Sequence, residues 1–148
     1  MQPDNLQAVV SQIELLDKQG KTDESRQLLA RQLAAHPESA YLQHALGMWL
    51  LHHGERPYAL LGLSKAVELA PDNPDYRYDL ATTLHDQDEV EAAQRQLEEI
   101  VQRHPANRKA RVLLVNYWKE TGQLQNVQVL LAQLEQQNPD DPALQQGL

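Results

Sequence analysis

Apolar positions along the chain recur at the three- and four-residue spacing of one helix face, as in Ala59, Leu63, Ala66 and Val67. The pattern is cut at regular places. Pro37, Pro71, Pro105 and Pro139 stand 34 residues apart, and Pro3 extends the series backwards. Two places after each proline comes Asn5, Ser39, Asn73, Asn107 or Asp141, each able to accept from a backbone N–H left unpaired at a helix start. Every joint of the type APDNP therefore ends one helix and caps the next, and Asp141 followed by Pro142 restarts a helix once more.

Counting from each cap divides the chain into frames 6–39, 40–73, 74–107 and 108–141. Place 11 of the frames reads Leu16, Leu50, Leu84, Trp118; place 20 reads Ser25, Ala59, Ala93, Val127; place 24 reads Leu29, Leu63, Leu97, Leu131. Place 15 holds Gly20, Gly54, Asp88 and Gly122, a turn that splits each frame into helix A and helix B of about 14 residues each. A period of this length is the mark of a helical repeat array, in which one unit cannot bury its apolar face alone.

These residues resemble the tetratricopeptide repeats. Frame 40–73 carries the likeness best, through Leu46, Gly47, Leu50, Gly54, Ala59, Leu63, Ala66 and Pro71, followed by frame 74–107 with Leu80, Ala81, Leu84, Ala93, Leu97, Ile100 and Pro105. The resemblance covers about 135 of the 148 residues and implies one all-α domain over residues 1–148. Its expected form is a right-handed superhelix of four helix-turn-helix repeats with a short C-terminal helical stub, the A helices lining the concave side. Gly47 and Ala81 are small where helix A must approach helix B. The end frames depart from the pattern: Gln12, Ile13 and Gln32 in the first, Val115 and Val127 in the fourth, whose helices are expected to sit apart. Glu135 replaces the Leu33, Val67, Val101 series, so little is expected to pack beyond the last helix B. Residues 142–148 form either a short cap, the preferred reading, or the start of a longer array cut from a larger bacterial protein.

Composition narrows the function. The chain has 13 basic and 21 acidic residues, a net charge of −8, and both halves are acidic, so neither offers a basic face for nucleic acid or anionic lipid. With no cysteine there is no disulfide, thiolate metal site, thiol nucleophile or covalent haem attachment through Cys pairs. No apolar run is long enough to span a membrane, and residues 1–10 lack a secretory pattern. The compartment stays open: cytoplasmic by default, periplasmic for a domain of a secreted parent. Ser11, Ser25, Ser39 and Ser64 lack a nucleophile's context and no Gly-rich phosphate loop occurs, so the chain reads as noncatalytic and without a cofactor.

The resemblance places a bound peptide or helix against outward places of the A helices. Carried over, these are Tyr41, His44, Met48, Leu51 and His52; Asp75, Tyr78, Asp79, Thr82, His85 and Asp86; Lys109, Val112, Leu113, Asn116, Lys119 and Glu120. The first frame adds Val10, Glu14, Asp17 and Lys18. Aromatic and Met side chains at such places suit recognition. The family's carboxylate-holding groove wants Lys, Asn, Asn, Lys and Arg where this chain has His44, Met48, Asp79, Lys109 and Leu113. Only Lys109 fits, which disfavours a chaperone tail as ligand.

Among the histidines, His36 and His104 end B helices, where the helix dipole suits them. His44 and His52 are eight residues and about 12 Å apart along one helix, too far to hold one ion. A hydrogen bond between His52 and Asp86 is expected in preference to a metal site at His52, His85 and Asp86. The leading functional expectation is thus a scaffold for a protein or peptide partner. Its rivals are a homodimerisation surface, either on the back of the last helix B around Val129 and Leu130 or on the open first frame, and a docking domain of a larger bacterial multihaem redox protein.

Overall fold

The computed structural model describes residues 3–145. Helices alternate with short turns: α1 (Pro3–Lys18), α2 (Thr22–Ala35), α3 (Ala40–His52), α4 (Arg56–Leu69), α5 (Pro74–Asp86), α6 (Val90–Arg103), α7 (Arg108–Glu120), α8 (Leu124–Gln137) and the one-turn α9 (Pro142–Gln145). No strand occurs among the described residues. Each frame read from the sequence is one helix pair, so α1, α3, α5 and α7 are the A helices and α2, α4, α6 and α8 the B helices. By its contacts the chain divides into two units, Met1–Leu80 and Ala81–Leu148, the division falling inside α5.

The joints work as the capping residues predict. The Ser39 hydroxyl accepts from the Leu42 N–H at 3.2 Å, the Asn107 side chain from the Ala110 N–H at 3.0 Å, and Asn73 from the N–H groups of both Asp75 and Tyr76. A second bond closes two of them from the far side. Gln43 donates to the Pro37 carbonyl at 3.1 Å and Arg77 to the Pro71 carbonyl at 2.9 Å. The first joint differs from expectation, since α1 begins at Pro3 and runs through Asn5, which lies inside the helix.

Between helix A and helix B the chain turns through a left-handed residue. Gly20, Gly54 and Gly122 have φ of 79°, 78° and 72°, and Asp88 takes the same conformation at 64° without a glycine's freedom. In all four turns the next N–H reaches back to the carbonyl at place 11, as Glu55 to Leu50 at 2.8 Å and Gln123 to Trp118 at 2.7 Å. This is the bond that stops a helix in a Schellman motif.

Packing follows the period. In the first unit Leu42, Ala59, Leu63 and Ala66 are fully buried, with Ile13, Ser25 and Leu29 beside them in the outer pair. In the second unit Ala93, Leu97, Ile100 and Ala110 are fully buried and Leu114 and Val115 nearly so. Helices α3 and α4 approach most closely, because Gly47 and Gly62 bring the two backbones together: a Cβ on Gly62 would lie 3.0 Å from the Gln43 carbonyl oxygen. The fourth pair is looser, as Val115 and Val127 predict. Leu130, expected on an exposed back, is buried, because its place faces helix A across the pair where Gly62 stands in the second frame. Glu135 is exposed, as expected of a polar residue that replaces the Leu33, Val67, Val101 series.

Candidate functional site on the A helices

Along the A helices one arrangement recurs: an imidazole from one helix, a carboxylate from the neighbouring helix, and an aromatic ring against the imidazole. In the first unit His53 Nε2 meets Asp17 Oδ1 at 2.8 Å, joining the end of α3 to α1, while the Trp49 ring packs on His53 with centroids 4.0 Å apart. The Asp17 side chain is only 10% exposed, so this carboxylate is largely withdrawn from water. The Trp49 indole donates to the Ser25 hydroxyl at 2.9 Å, and that hydroxyl donates to the Ile13 carbonyl at 3.0 Å. Buried Ser25 is thereby satisfied where the second and third frames have alanine.

Further along the same unit His44 Nε2 meets Asp79 Oδ2 at 2.7 Å, linking α3 to α5, with Tyr76 stacked on the imidazole at 4.7 Å. Burial, followed by the charges of Tyr41 and Asp75, raises the Tyr76 phenol above the ordinary tyrosine pKa of 10.0. In the second unit His85 Nε2 meets Glu120 Oε2 at 2.7 Å, linking α5 to α7, and Tyr117 lies parallel to the imidazole at 4.0 Å. Gln94 of α6 supports this end, donating to the Thr121 hydroxyl at 3.1 Å. Such charge-capable hydrogen bonds are stronger than neutral ones and fix the register of one helix against the next.

Of the expected recognition residues, the structure pairs His44 with Asp79 and joins His85 to Glu120. Met48 is 40% exposed, one turn beyond His44, and His52 lies one turn further at 75% exposure of its side chain. Asp75, Asp86, Lys109, Asn116 and Lys119 are exposed, while Tyr41, Tyr78, Thr82 and Val112 are half-buried. Two expectations need correction. Val10 is buried in the first unit and does not line a surface, because it lies on the inner face of α1 with Ile13. His52, expected beside Asp86, comes within 3.7 Å of Asp17, to which His53 is already bonded. His53, Tyr76 and Tyr117 were missed by sequence reasoning. A signal existed: both 44 to 79 and 85 to 120 span 35 residues, one repeat plus one, which pairs adjacent places on neighbouring A helices.

Among the described residues no three His, Cys, Asp or Glu side chains gather closely enough to hold a metal ion, and no helix is long and apolar enough to cross a membrane. Residues 60–129 match a family whose description is Tetratricopeptide repeat. That stretch is similar to tetratricopeptide repeats. Solved repeat structures agree over most of the chain. The crystal structure of MamA is 18% identical with a TM-score of 0.70, covering 91% of this chain and 79% of that one. The first TPR of Spaghetti (RPAP3), bound to the HSP90 peptide SRMEEVD, is 16% identical with a TM-score of 0.68, covering 82% and 97%. The type III secretion translocator chaperone SycD of Yersinia enterocolitica is 15% identical with a TM-score of 0.64, covering 85% and 88%. No curated protein matches in sequence. At these identities the likeness establishes an all-α tetratricopeptide-repeat fold.

Proposed function

We propose that this chain is a noncatalytic scaffold that binds an extended peptide or a helix of a protein partner on its A helices. In the first unit the contact residues are Tyr41, His44, Met48, His52, Asp75, Tyr78 and Asp79; in the second they are Thr82, His85, Asp86, Lys109, Val112, Asn116 and Lys119. The observation that carries the reading is the exposure of Met48 and His52 on a helix whose register is held by bonded pairs on either side. A frame locked in this way leaves most of the ordering cost with the partner. The repeat of RPAP3, with the same fold, was solved with a peptide bound. A carboxylate tail is not the ligand expected here, because only Lys109 matches the residues that would hold it.

Affinity capture with the intact chain beside a Met48→Ala, Tyr78→Ala variant tests this. A partner retained by the first and lost by the second, with unchanged circular dichroism, supports the assignment; equal retention by both removes it.

A second reading has an observation of its own. Tyr58 and Leu61 of α4 are 61% and 70% exposed and lie one turn apart, an apolar patch suited to self-association. Sedimentation at two concentrations separates the readings, since a concentration-independent monomer excludes a dimer through this patch.

A further inference from the structure

In two frames the side chain at place 4 reaches back to the joint before its own helix: Gln43 donates to the Pro37 carbonyl at 3.1 Å and Arg77 Nε to the Pro71 carbonyl at 2.9 Å. Arg111 stands at the same place of the fourth frame, yet its Nε has no acceptor, and the corresponding bond to Pro105 is not made. It is also set deeper. Arg111 is only 7% exposed, whereas Gln43 and Arg77 are half-buried.

Among the described residues nothing neutralises this guanidinium. Its Nε is closed to water, and neither terminal nitrogen, Nη1 or Nη2, has a bonded or ionic partner. Those two nitrogens are not closed to water, so the outer edge of the guanidinium is the accessible part of its polar group. The space beside it is a cavity of about 270 Å³, whose wall Arg111 shares with Pro105, with Leu134 and Gln137 of α8, and with Asn138 and Asp141 of the next joint. All of these residues belong to the second unit. A buried charge without a partner is disfavoured, so an acceptor brought to this edge gains more than one paired at the open surface.

The surrounding charge says which acceptor. Residues 103–111 carry Arg103, Arg108, Lys109 and Arg111 and no acid, a local reversal in a chain of net charge −8. The first turn of α7 holds no acidic residue, so the positive end of the helix dipole adds to them. An anion is favoured, and a planar carboxylate matches the two-pronged edge of a guanidinium. Asp141, the one acid in the wall, disfavours a doubly charged phosphate. The amides of Gln137 and Asn138 donate and accept together, which is the pairing a peptide backbone offers in return. The volume lies just below the roughly 300–1,000 Å³ typical of small-molecule sites, enough for one side chain.

We propose that this cavity between the last two joints binds an acidic peptide segment, taking one Glu or Asp side chain whose carboxylate pairs with the outer edge of Arg111. None of its wall residues is among the A-helix contacts assigned above, so a partner can be held here with those contacts empty.

The test reads the Arg111 Nε–H signal of the ¹⁵N-labelled chain, assigned by its loss in Arg111→Lys. The probe is the capped peptide acetyl-Ala-Ala-Glu-Ala-Ala-amide. A saturable shift of that signal is expected, and none with the glutamine analogue of the probe. Arg111→Lys keeps the charge and loses the fork; followed through the Asn138 and Asp141 amide signals, it should bind about tenfold more weakly or worse while the circular dichroism is kept. Asp141→Asn keeps a capping side chain, removes the opposing charge, and should bind about two- to fivefold more tightly. No shift up to the solubility limit of the probe overturns the proposal. So does an equal response to the glutamine peptide, unchanged affinity in a folded Arg111→Lys, or no tightening in Asp141→Asn. An equal or larger shift with inorganic phosphate, or with acetyl-pentaalanine bearing a free C-terminal carboxylate, overturns the side-chain assignment.

Discussion

Replacing Gly47 by alanine sets two effects of opposite sign against each other. The new Cβ would stand 2.6 Å from Leu63 Cγ and 2.7 Å from its Cδ2, with the Leu63 nitrogen at 3.1 Å. Carbon atoms in contact prefer about 3.5–4.0 Å, so the overlap approaches an ångström. Leu63 is fully buried, as are Leu42, Ala59 and Ala66 of the same unit, which leaves no empty rotamer to move into. Overpacking of a tight core costs about 1–3 kcal/mol. Against it, alanine is favoured over glycine inside a helix by about 1 kcal/mol. The backbone contact places the steric term toward its upper end, giving a net loss of about 1–2 kcal/mol. Urea unfolding followed by circular dichroism reads the difference. Ser64→Ala on the exposed side of α4 is the control, and a gain of a few tenths of a kcal/mol is expected there from helix propensity alone. Stabilisation of Gly47→Ala by about 1 kcal/mol would show that α3 and α4 separate freely and would refute the close-approach argument.

Other substitutions test separate parts of the account. Ser25→Ala installs the residue that the second and third frames carry at this place, yet removes the acceptor of the Trp49 indole and the donor to Ile13; a loss of about 1–3 kcal/mol is expected in chemical denaturation. Asp88→Gly relieves a left-handed aspartate and should raise the unfolding midpoint by the equivalent of up to about 1 kcal/mol. Tyr76 bears on pH. Its folded pKa lies above 10.0 because burial disfavours the phenolate, so its contribution to stability is complete below 10.0 and is lost as the pH rises through the folded value. Tyrosinate absorbance should show a late-titrating component that is reduced in Tyr76→Phe.

The helix pairs, their turns and three of the joints were legible because each rests on local chemistry repeated with one period. Ser39, Asn73 and Asn107 cap as their type and position require. Asn5 does not begin a helix, since α1 already starts at Pro3, whose fixed φ suits a first helical position. Contacts between helices were harder to read. His53 closes α3 at its last turn, so its place looked like part of a loop until the structure brought it to Asp17. Leu130 looked like an outward residue because its counterpart Gly62 has no side chain to show which way that place points. Burial corrected it.

The central claim is that partners are held by the outward side chains of the A helices. Site-specific photocrosslinking tests it most directly, with a benzoylphenylalanine placed in turn at Met48 and at Arg95, both exposed, the first on helix A and the second on helix B. The account predicts a partner crosslinked from position 48 and not from position 95, with the yield from 48 abolished by excess unlabelled chain. Crosslinks from position 95 alone would contradict it.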